Sequence, residues 1–486
     1  MLFSSFAYFA FLAIVVIVFY FLPAVDRKIW LLISSYFFYA CWNPAYLIIL
    51  VFCTLSSYIC AILLEKKEKY KKCIIAVCII INIGILIFFK YSNFLITNVN
   101  NIFDFMAINK QVNLLDIVLP VGISFYIFQA IGYLIDVYRG KIKVEYNIIQ
   151  YALFISFFPQ ISSGPIERAN NMLPQYENIK FHRIGYSGFV ERFEKSISLI
   201  MWGFFQKLVI ADRIAIIVDS VFDNYMSYSS LDIIFATVLY GVQIYCDFDG
   251  YTNIARGSAV LFGIELMPNF RQPYLALNIK EFWARWHRSL TTWFTDYLYI
   301  TLGGNRKGKI RKYINIFIVF AVSGLWHGAS WHFMIWGAMH GVYLVIYNIL
   351  NTKKKQEQQK KVKFCSRLLR IMATFALVDF AWFFFRVPNF SAAKNMIYYT
   401  FSSLDLRFSF PNEIFNHGNM VILMFSILIL VIVDIFHEKN VYILQKVFCQ
   451  QFWFYILVIV IMIFYILIFG VYGGGYDVSN FIYSKF

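Results

Sequence analysis

The feature that most constrains this chain is how often it repeats an apolar run long enough to cross a bilayer. A spanning helix needs about 17 to 25 such residues to cover roughly 30 Å of hydrocarbon. Leu2 to Leu22, Ala45 to Leu64, Cys73 to Phe89, Met420 to Phe436 and Phe452 to Val471 each supply one. Runs interrupted by polar residues lie at Ile29 to Trp42, Leu114 to Ile135, Ile148 to Ile161, Ile197 to Ile210, Leu231 to Cys246, Tyr313 to Leu325, Trp331 to Tyr347 and Ile371 to Phe385. With 60% of its 486 residues hydrophobic and 14% charged, the chain holds more apolar side chain than a soluble core buries. An all-α integral membrane protein is expected, with no soluble domain and no internal repeat.

The formal net charge is +16, so the placement of the basic residues decides what partner they imply. They fall in short loops between apolar runs, at Glu65 to Lys72, Arg139 to Lys143, Arg306 to Lys312 and Lys353 to Arg370. This is the signature of cytoplasmic loops rather than of a nucleic-acid-binding face. With the Glu65 to Lys72 loop inside and three runs before it, the N-terminus is expected outside and the Asp26 to Lys28 turn inside; the Arg139 loop then also falls inside. The first run lacks a basic lead-in and a small-residue cleavage pattern before Pro23, and is read as a retained helix. Most cysteines sit within apolar runs, and no ligand spacing joins them to histidines, so neither a disulfide framework nor a metal site is expected. The run Lys353 to Lys361 reads as a polar cytoplasmic loop, and Pro388 to Asn419 as the longest outer loop.

Polar residues placed where hydrocarbon makes them costly mark the chemistry of a membrane protein. Three of the seven histidines, His327, His332 and His340, fall between Ser323 and Gly341. If the flanking basic segments are both cytoplasmic, residues 313 to 350 form a helical hairpin turning near Gly328 to Ser330. His340 then lies about 15 Å from that turn, near mid-membrane, and His327 close to the turn. Gly337 and Gly341 flank His340 and leave room for a substrate or for a close helix. An imidazole there can serve as a general base near neutral pH, or it can satisfy a hydrogen bond between packed helices; for His332 the packing role is preferred. Glu281 to Tyr299 is aromatic, amphipathic and basic, which suits an interfacial helix, with His287 among its tryptophans bordering a substrate path as the alternative. Asp247 and Asp249 end an apolar run and either orient a histidine or pair with an arginine such as Arg256 or Arg271, the pairing being favoured. The chain has no Gly-x-Ser-x-Gly elbow, no histidine followed by aspartate at the fifth position, no phosphate-cradling glycine loop and no His-Glu-x-x-His. A serine hydrolase, an ATP-driven pump and a zinc protease are therefore disfavoured.

The blocks Leu119 to Gln129, Tyr133 to Gly140, Ser156 to Pro165, Gln243 to Tyr251, Glu281 to Tyr299 and Trp326 to Gly341 occur in an order that resembles the membrane-bound O-acyltransferase family. The nearest branch is similar to bacterial proteins that O-acetylate alginate and peptidoglycan, and Ser479 to Phe486 resembles that branch's ending. The resemblance implies roughly 11 to 13 transmembrane or re-entrant helices in a ring around a central passage. It divides the chain into N-terminal helices (1–110), a catalytic core (111–350), and a basic loop with C-terminal helices (351–486). It matches the family's buried histidine to His340, as general base, and its second polar position to His287, orienting or polarising the carbonyl. His327, Trp326, Trp336, Asp247 and Asp249 are given supporting roles along the passage, although Asp stands in Cys246 to Asp249 where relatives usually carry serine. Lys207 and Asp212 are expected to form a structural ion pair.

The implied reaction moves an acetyl group from a cytoplasmic thioester, acetyl-CoA, to an extracellular or cell-wall polysaccharide. No bound cofactor is needed, and a separate extracytoplasmic esterase-like partner completes the transfer at the cell membrane. The competing functions are D-alanyl transfer from a carrier-protein thioester and a non-catalytic export scaffold. The helices that follow the histidine segment disfavour the first of these.

Overall fold

The computed structural model describes residues 3, 5–162, 164–179, 186–351, 364–408, 416–441 and 452–472. The expected basic loop falls mostly outside the described residues, as do residues 409–415 of the expected outer loop, most of whose described part is the helix Phe390–Ser403, and the C-terminal Ser479 to Phe486. Among the described residues the regular structure is helical and contains no strand. Among the described residues six helices are long and apolar enough to cross a membrane: Pro44–Lys66, Glu68–Phe105, Ser230–Val260, Trp331–Leu350, Phe364–Arg386 and His417–Glu438. Shorter apolar helices lie at Phe6–Phe21, Ile123–Tyr138, Ile148–Ile161 and Trp453–Phe469. The chain divides into two compact units, Met1–Phe193 with Ser258–Met267, and Glu194–Gly257 with Pro268–Lys485.

The first unit contains α1 (Phe6–Phe21), α2 (Arg27–Ala40), α3 (Pro44–Lys66), α4 (Lys71–Phe105), α5 (Ile123–Tyr138), α6 (Ile148–Ser156), α7 (Phe158–Ile161) and α8 (Ala169–Asn178). α3 starts where proline is tolerated, because Pro44 opens its first turn and the Asn43 side chain accepts from the Ala45 N–H. At 35 residues α4 is about 52 Å long. One of its faces supports irregular chain. Asn93 and Asn100, two turns apart, each clamp both backbone groups of a residue in the following segment, Leu115 at 2.8 and 2.9 Å and Val112 at 2.8 and 2.9 Å. These amides replace the hydrogen bonds a helix would make for itself.

The single span expected from Leu114 to Ile135 is therefore divided into a segment without regular structure and α5. The start of α5 is sharp because Gly122, at φ +71°, lies against the Ile161 carbonyl, where a Cβ would come within 2.0 Å of the oxygen. The run Ile148 to Ile161 is likewise broken, at Phe157 (ψ 115°), with Pro159 in the first turn of α7. Lys28, expected in a cytoplasmic turn, lies in α2 and is buried, donating to Gln150 Oε1 at 2.5 Å.

α9 (Tyr186–Phe204), which belongs to the second unit from Glu194 onward, runs into a π-helical segment, Phe205–Ala211, and on into α10 (Asp212–Asp223). The long α11 (Ser230–Val260) follows, then the short α12 (Ile279–Arg285) and α13 (Arg288–Phe294) and a second π segment, Thr295–Tyr299. α14 (Gly308–His327), α15 (Trp331–Leu350), α16 (Phe364–Arg386), α17 (Phe390–Ser403), α18 (His417–Glu438) and α19 (Phe452–Phe469) complete it. Two crossings are set by absent side chains. A Cβ on Gly203 would lie 2.6 Å from the Gly250 carbonyl oxygen, and one on Gly250 would lie 2.8 Å from that of Gly203, so α9 and α11 touch backbone to backbone. In the α14–α15 hairpin, Cβ atoms on Gly324 and Gly337 would lie 2.3 Å and 2.2 Å from the carbonyl oxygens of Phe333 and Phe320. Small residues at such seams allow the close approach that lets packing hold helices together in lipid.

The room that Gly337 leaves beside His340 is thus taken by a neighbouring helix. Gly337→Val should lower the stability of detergent-solubilised protein by about 1 to 3 kcal/mol in a thermal melt, because the neighbouring atoms are backbone and cannot yield. Gly84→Ala on α4, where a Cβ meets nothing within 4 Å, should leave stability unchanged or raise it by up to about 1 kcal/mol.

Candidate active site

The hairpin of α14 and α15 places His327 at the last position of one helix and His340 midway along the next, with Gly328 to Ser330 as the turn. His340 has no solvent exposure, and its environment is aromatic. Trp283 of α12 lies edge-on at 4.9 Å between ring centroids, Trp336 at 5.1 Å, Tyr343 at 5.7 Å and Trp382 of α16 at 6.2 Å. The indole N–H of Trp283 donates to its Nδ1 at 3.3 Å, while Nε2 has no hydrogen-bond partner among the described residues. Trp336, fully buried, lies 5.0 Å from His327 and 5.1 Å from His340, so one indole is shared by both imidazoles. Phe385 packs on His327 at 5.4 Å and on Trp336 at 5.1 Å. His332 has a local role: its Nδ1 lies 2.8 Å from the Ser330 hydroxyl, and its ring lies 4.1 Å from Phe333.

Glu281 to Tyr299 does not form the interfacial helix its composition suggested. It is cut into α12 and α13 at Trp286 and His287, and Phe282, Trp283, Trp286, His287, Trp293 and Phe294 are buried. The break has a definite mechanism. Arg285 at the end of α12 donates to both carboxylate oxygens of Glu438 on α18, at 2.7 and 2.8 Å, and to Glu281 at 2.5 Å. Such forked charge-assisted bonds fix direction as well as distance. The Arg285 carbonyl also accepts from the Arg271 N–H at 3.0 Å.

Beyond this anchor His287 takes a left-handed conformation, φ 40° and ψ 54°, which few residues other than glycine adopt. The far side is held by Asn269, whose carbonyl accepts from the Arg288 N–H at 2.8 Å and whose side chain accepts from the Ser289 hydroxyl at 2.6 Å. A strained corner held from both sides fixes the direction of the side chain it carries. The His287 ring lies 4.7 Å from Phe248, 6.1 Å from Trp326 and 6.5 Å from His327. His287 and His327 are therefore neighbours, with Trp336 next in line and His340 beyond it.

Phe248 separates the two carboxylates: Asp247 meets a lysine, and Arg256, one of the expected arginines, lies where its charge favours the Asp249 carboxylate. Asp247 forms an ion pair with Lys207 at 2.7 Å, and the same ammonium reaches Asp212 at 2.7 Å, so the expected Lys207–Asp212 pair is one side of a buried triad. The π segment and Gly250 make this possible. A Cβ on Gly250 would lie 3.3 Å from the Lys207 backbone nitrogen and 2.8 Å from the Gly203 carbonyl oxygen, so the glycine lets this stretch of chain lie close against α11. Asp249 instead accepts from Gln206 at 2.9 Å and Asn253 at 3.0 Å, and Arg256 bonds to Asn253 at 3.1 Å, one residue removed from the carboxylate. The pair anchors the part of α11 that presents Phe248 to His287.

The profile of the membrane-bound O-acyltransferase family matches residues 141–352, a stretch that contains His287, His327 and His340. A probable alginate O-acetylase of Pseudomonas putida is 36% identical over 419 residues, covering 85% of this chain and 83% of that protein. The chain belongs to the membrane-bound O-acyltransferase family. A peptidoglycan O-acetyltransferase of Helicobacter pylori is 35% identical over 398 residues, 76% of this chain and 73% of its own length. A teichoic acid D-alanyltransferase of Streptococcus thermophilus is 30% identical over 254 residues, 50% of this chain and 60% of its own. As a member of this family the protein is an O-acyltransferase, and its apolar helices make it a multi-pass membrane protein.

The structure brings together His287, His327, Trp326, Trp336 and His340 as one aromatic cluster and leaves Asp247 and Asp249 in α11 behind Phe248. Sequence inspection passed over Trp283, Trp382, Asn269, Arg285 and Glu438. Trp283 lay four residues before His287 inside a block already singled out, but its indole looked like an interfacial anchor; nothing near Trp382, Asn269 or Glu438 hinted at contact. Lys207→Met leaves two buried carboxylates without their cation and should cost about 3 to 5 kcal/mol in thermal stability. The triple variant with Asp212→Asn and Asp247→Asn should recover most of that loss in the same melting experiment.

Proposed function

We propose that this acyltransferase passes an acetyl group from acetyl-CoA, entering from the cytoplasm, across the cell membrane for O-acetylation of an extracellular or cell-wall polysaccharide. The observation that carries the proposal is His340, its Nε2 without a partner among the described residues, inside an aromatic enclosure, in a chain matching O-acetyltransferases over most of its length. A site that excludes water protects a thioester from hydrolysis, and polar atoms within it act strongly because little solvent screens them.

The attacking hydroxyl adds to the thioester carbonyl, and the carbon–sulfur bond then breaks to release coenzyme A. The step needs one group to take the hydroxyl proton and another to hold the negative charge that builds on the carbonyl oxygen. His340 and His287 are the groups that divide this work, with His327, Trp326 and Trp336 lining the way between them. No bound cofactor takes part. A separate extracytoplasmic esterase-like protein receives the acetyl group and completes transfer to the polymer, and the N-terminus lies on the outer face. Acetyl is preferred to D-alanyl because the O-acetyltransferase relatives match 76 to 85% of the chain, and the D-alanyltransferase only half.

In cells carrying the wild-type chain or His340→Ala at equal membrane abundance, the variant should lose O-acetyl from one surface polymer, measured as acetate released by mild base. Loss of D-alanine instead would establish the other acyl group. Unchanged acyl content of every polymer would mean that the chain does no chemistry at His340.

A further inference from the structure

We infer that the groove between α3 and α4 binds one anionic phospholipid, with an acyl chain lying between the helices and the phosphate head group at Lys67 and Tyr70. The two helices are antiparallel and joined by one turn of 3-10 helix, Glu68–Tyr70. From that turn a groove of about 410 Å³ runs down the seam, from Lys67 to Ser56 on α3 and from Tyr70 to Ile81 on α4. At about 1.5 Å per residue its length is about 16 Å on either helix, half of the roughly 30 Å of hydrocarbon, so it is as long as one leaflet is deep.

Small side chains keep the groove open. Cys60 donates through Sγ to the Ile74 carbonyl at 3.7 Å, and Cys78 to the Ser56 carbonyl at 3.8 Å. These two buried thiols span the seam where larger residues would fill it. Ile59, Leu63, Ile74, Val77 and Ile81 make the walls apolar, and Ile59, Val77 and Ile81 are exposed at the rim. A hydrocarbon chain therefore reaches the groove from the side, out of the bilayer.

Charge enters at one end only. Residues 65–72 hold five lysines and two glutamates. Both glutamates are engaged, Glu68 with Lys71 at 2.7 Å and Glu65 as acceptor from the Tyr146 hydroxyl. Lys67, which lines the groove, has no carboxylate partner among the described residues. A lysine and a tyrosine at the head-group level present an ammonium and a hydroxyl to a phosphate while their stems stay in apolar surroundings. A free phosphate would leave the walls uncovered, and a zwitterionic lipid would bring its own cation against the lysines. An anionic phospholipid satisfies both ends of the groove. Because the groove exists only when α3 and α4 are packed, its occupant stabilises the folded chain alone.

The test melts the detergent-solubilised full chain, washed free of native lipid, with added phosphatidylglycerol, phosphatidylcholine or glycerol 3-phosphate. Phosphatidylglycerol should raise the melting midpoint, and the amount giving half the shift reads its affinity. The other two should need about tenfold more or give no shift, since each supplies only one half of the match. Lys67→Gln should raise the half-effect amount of phosphatidylglycerol about fivefold, and Lys72→Gln, outside the groove, less than about twofold. Leu63→Trp on one wall and Ile74→Trp on the other should each abolish the shift while melting near the wild-type midpoint without lipid. Should either tryptophan fail to fold, the comparison of Lys67 with Lys72 still decides. Equal losses at those two lysines would mean diffuse attraction of anionic lipid to the basic turn and would overturn the site. Equal shifts with phosphatidylcholine or with glycerol 3-phosphate, a full shift in a folded tryptophan variant, or no shift at all would overturn it as well.

Discussion

Close contact between the backbones of α14 and α15 is the constraint on which the rest of the site depends. Gly324 and Gly337 let each helix rest against the other's carbonyl oxygens, with no side chain between them. That seam sets the rotation of α15 about its own axis, and the rotation decides that Trp336 and His340 turn toward α12 and α16. In lipid the apolar surfaces of two helices gain little from each other's company beyond what hydrocarbon already offers, so shape has to supply the specificity. Trp336 then follows from the seam, stacked on Trp382 at 5.4 Å and touching both His327 and His340.

His287 depends on a different device. It stands at a left-handed corner between two short helices, and the corner exists because charge and hydrogen bonding grip the chain on either side. Arg285 is locked to Glu438 before it, and Asn269 binds Arg288 and Ser289 after it. The buried triad of Lys207, Asp212 and Asp247 anchors α11 behind Phe248, against which the His287 ring rests. A buried ion pair is an expensive way to gain stability but an effective way to specify one arrangement, because any displacement strands a charge. Both devices hold direction, which a site that handles protons and developing charge requires.

Much of this was legible in the chain of residues. The spans at Pro44–Lys66, Trp331–Leu350 and His417–Glu438 follow from run length alone, and the hairpin turn at Gly328 to Ser330 follows from the basic segments on either side. Where sequence reasoning went astray, hydrogen bonding outweighed hydropathy. The stretch before Gly122 is apolar enough to be helical, yet Asn93 and Asn100 satisfy its backbone from the side. The block Glu281 to Tyr299 has the composition of a surface helix, yet its tryptophans are buried because Arg285 finds a carboxylate on a helix about 150 residues away. The lysine partner of Asp247 went unseen because Lys207 lies on another helix, brought close to α11 where Gly250 leaves room.

The sequence by itself determined that this is a membrane protein built of helices, that its costly polar residues gather at His287, His327 and His340, and which family those residues belong to. Hydropathy, run length and ordered motifs are local quantities, and they can be read without folding the chain. Only the tertiary structure decided which nitrogen of His340 meets Trp283, that one indole touches two of the histidines, and that the glycines beside His340 admit a helix. Each of those facts is a contact between residues distant in the chain, set by how closely backbones approach, and no single segment carries it.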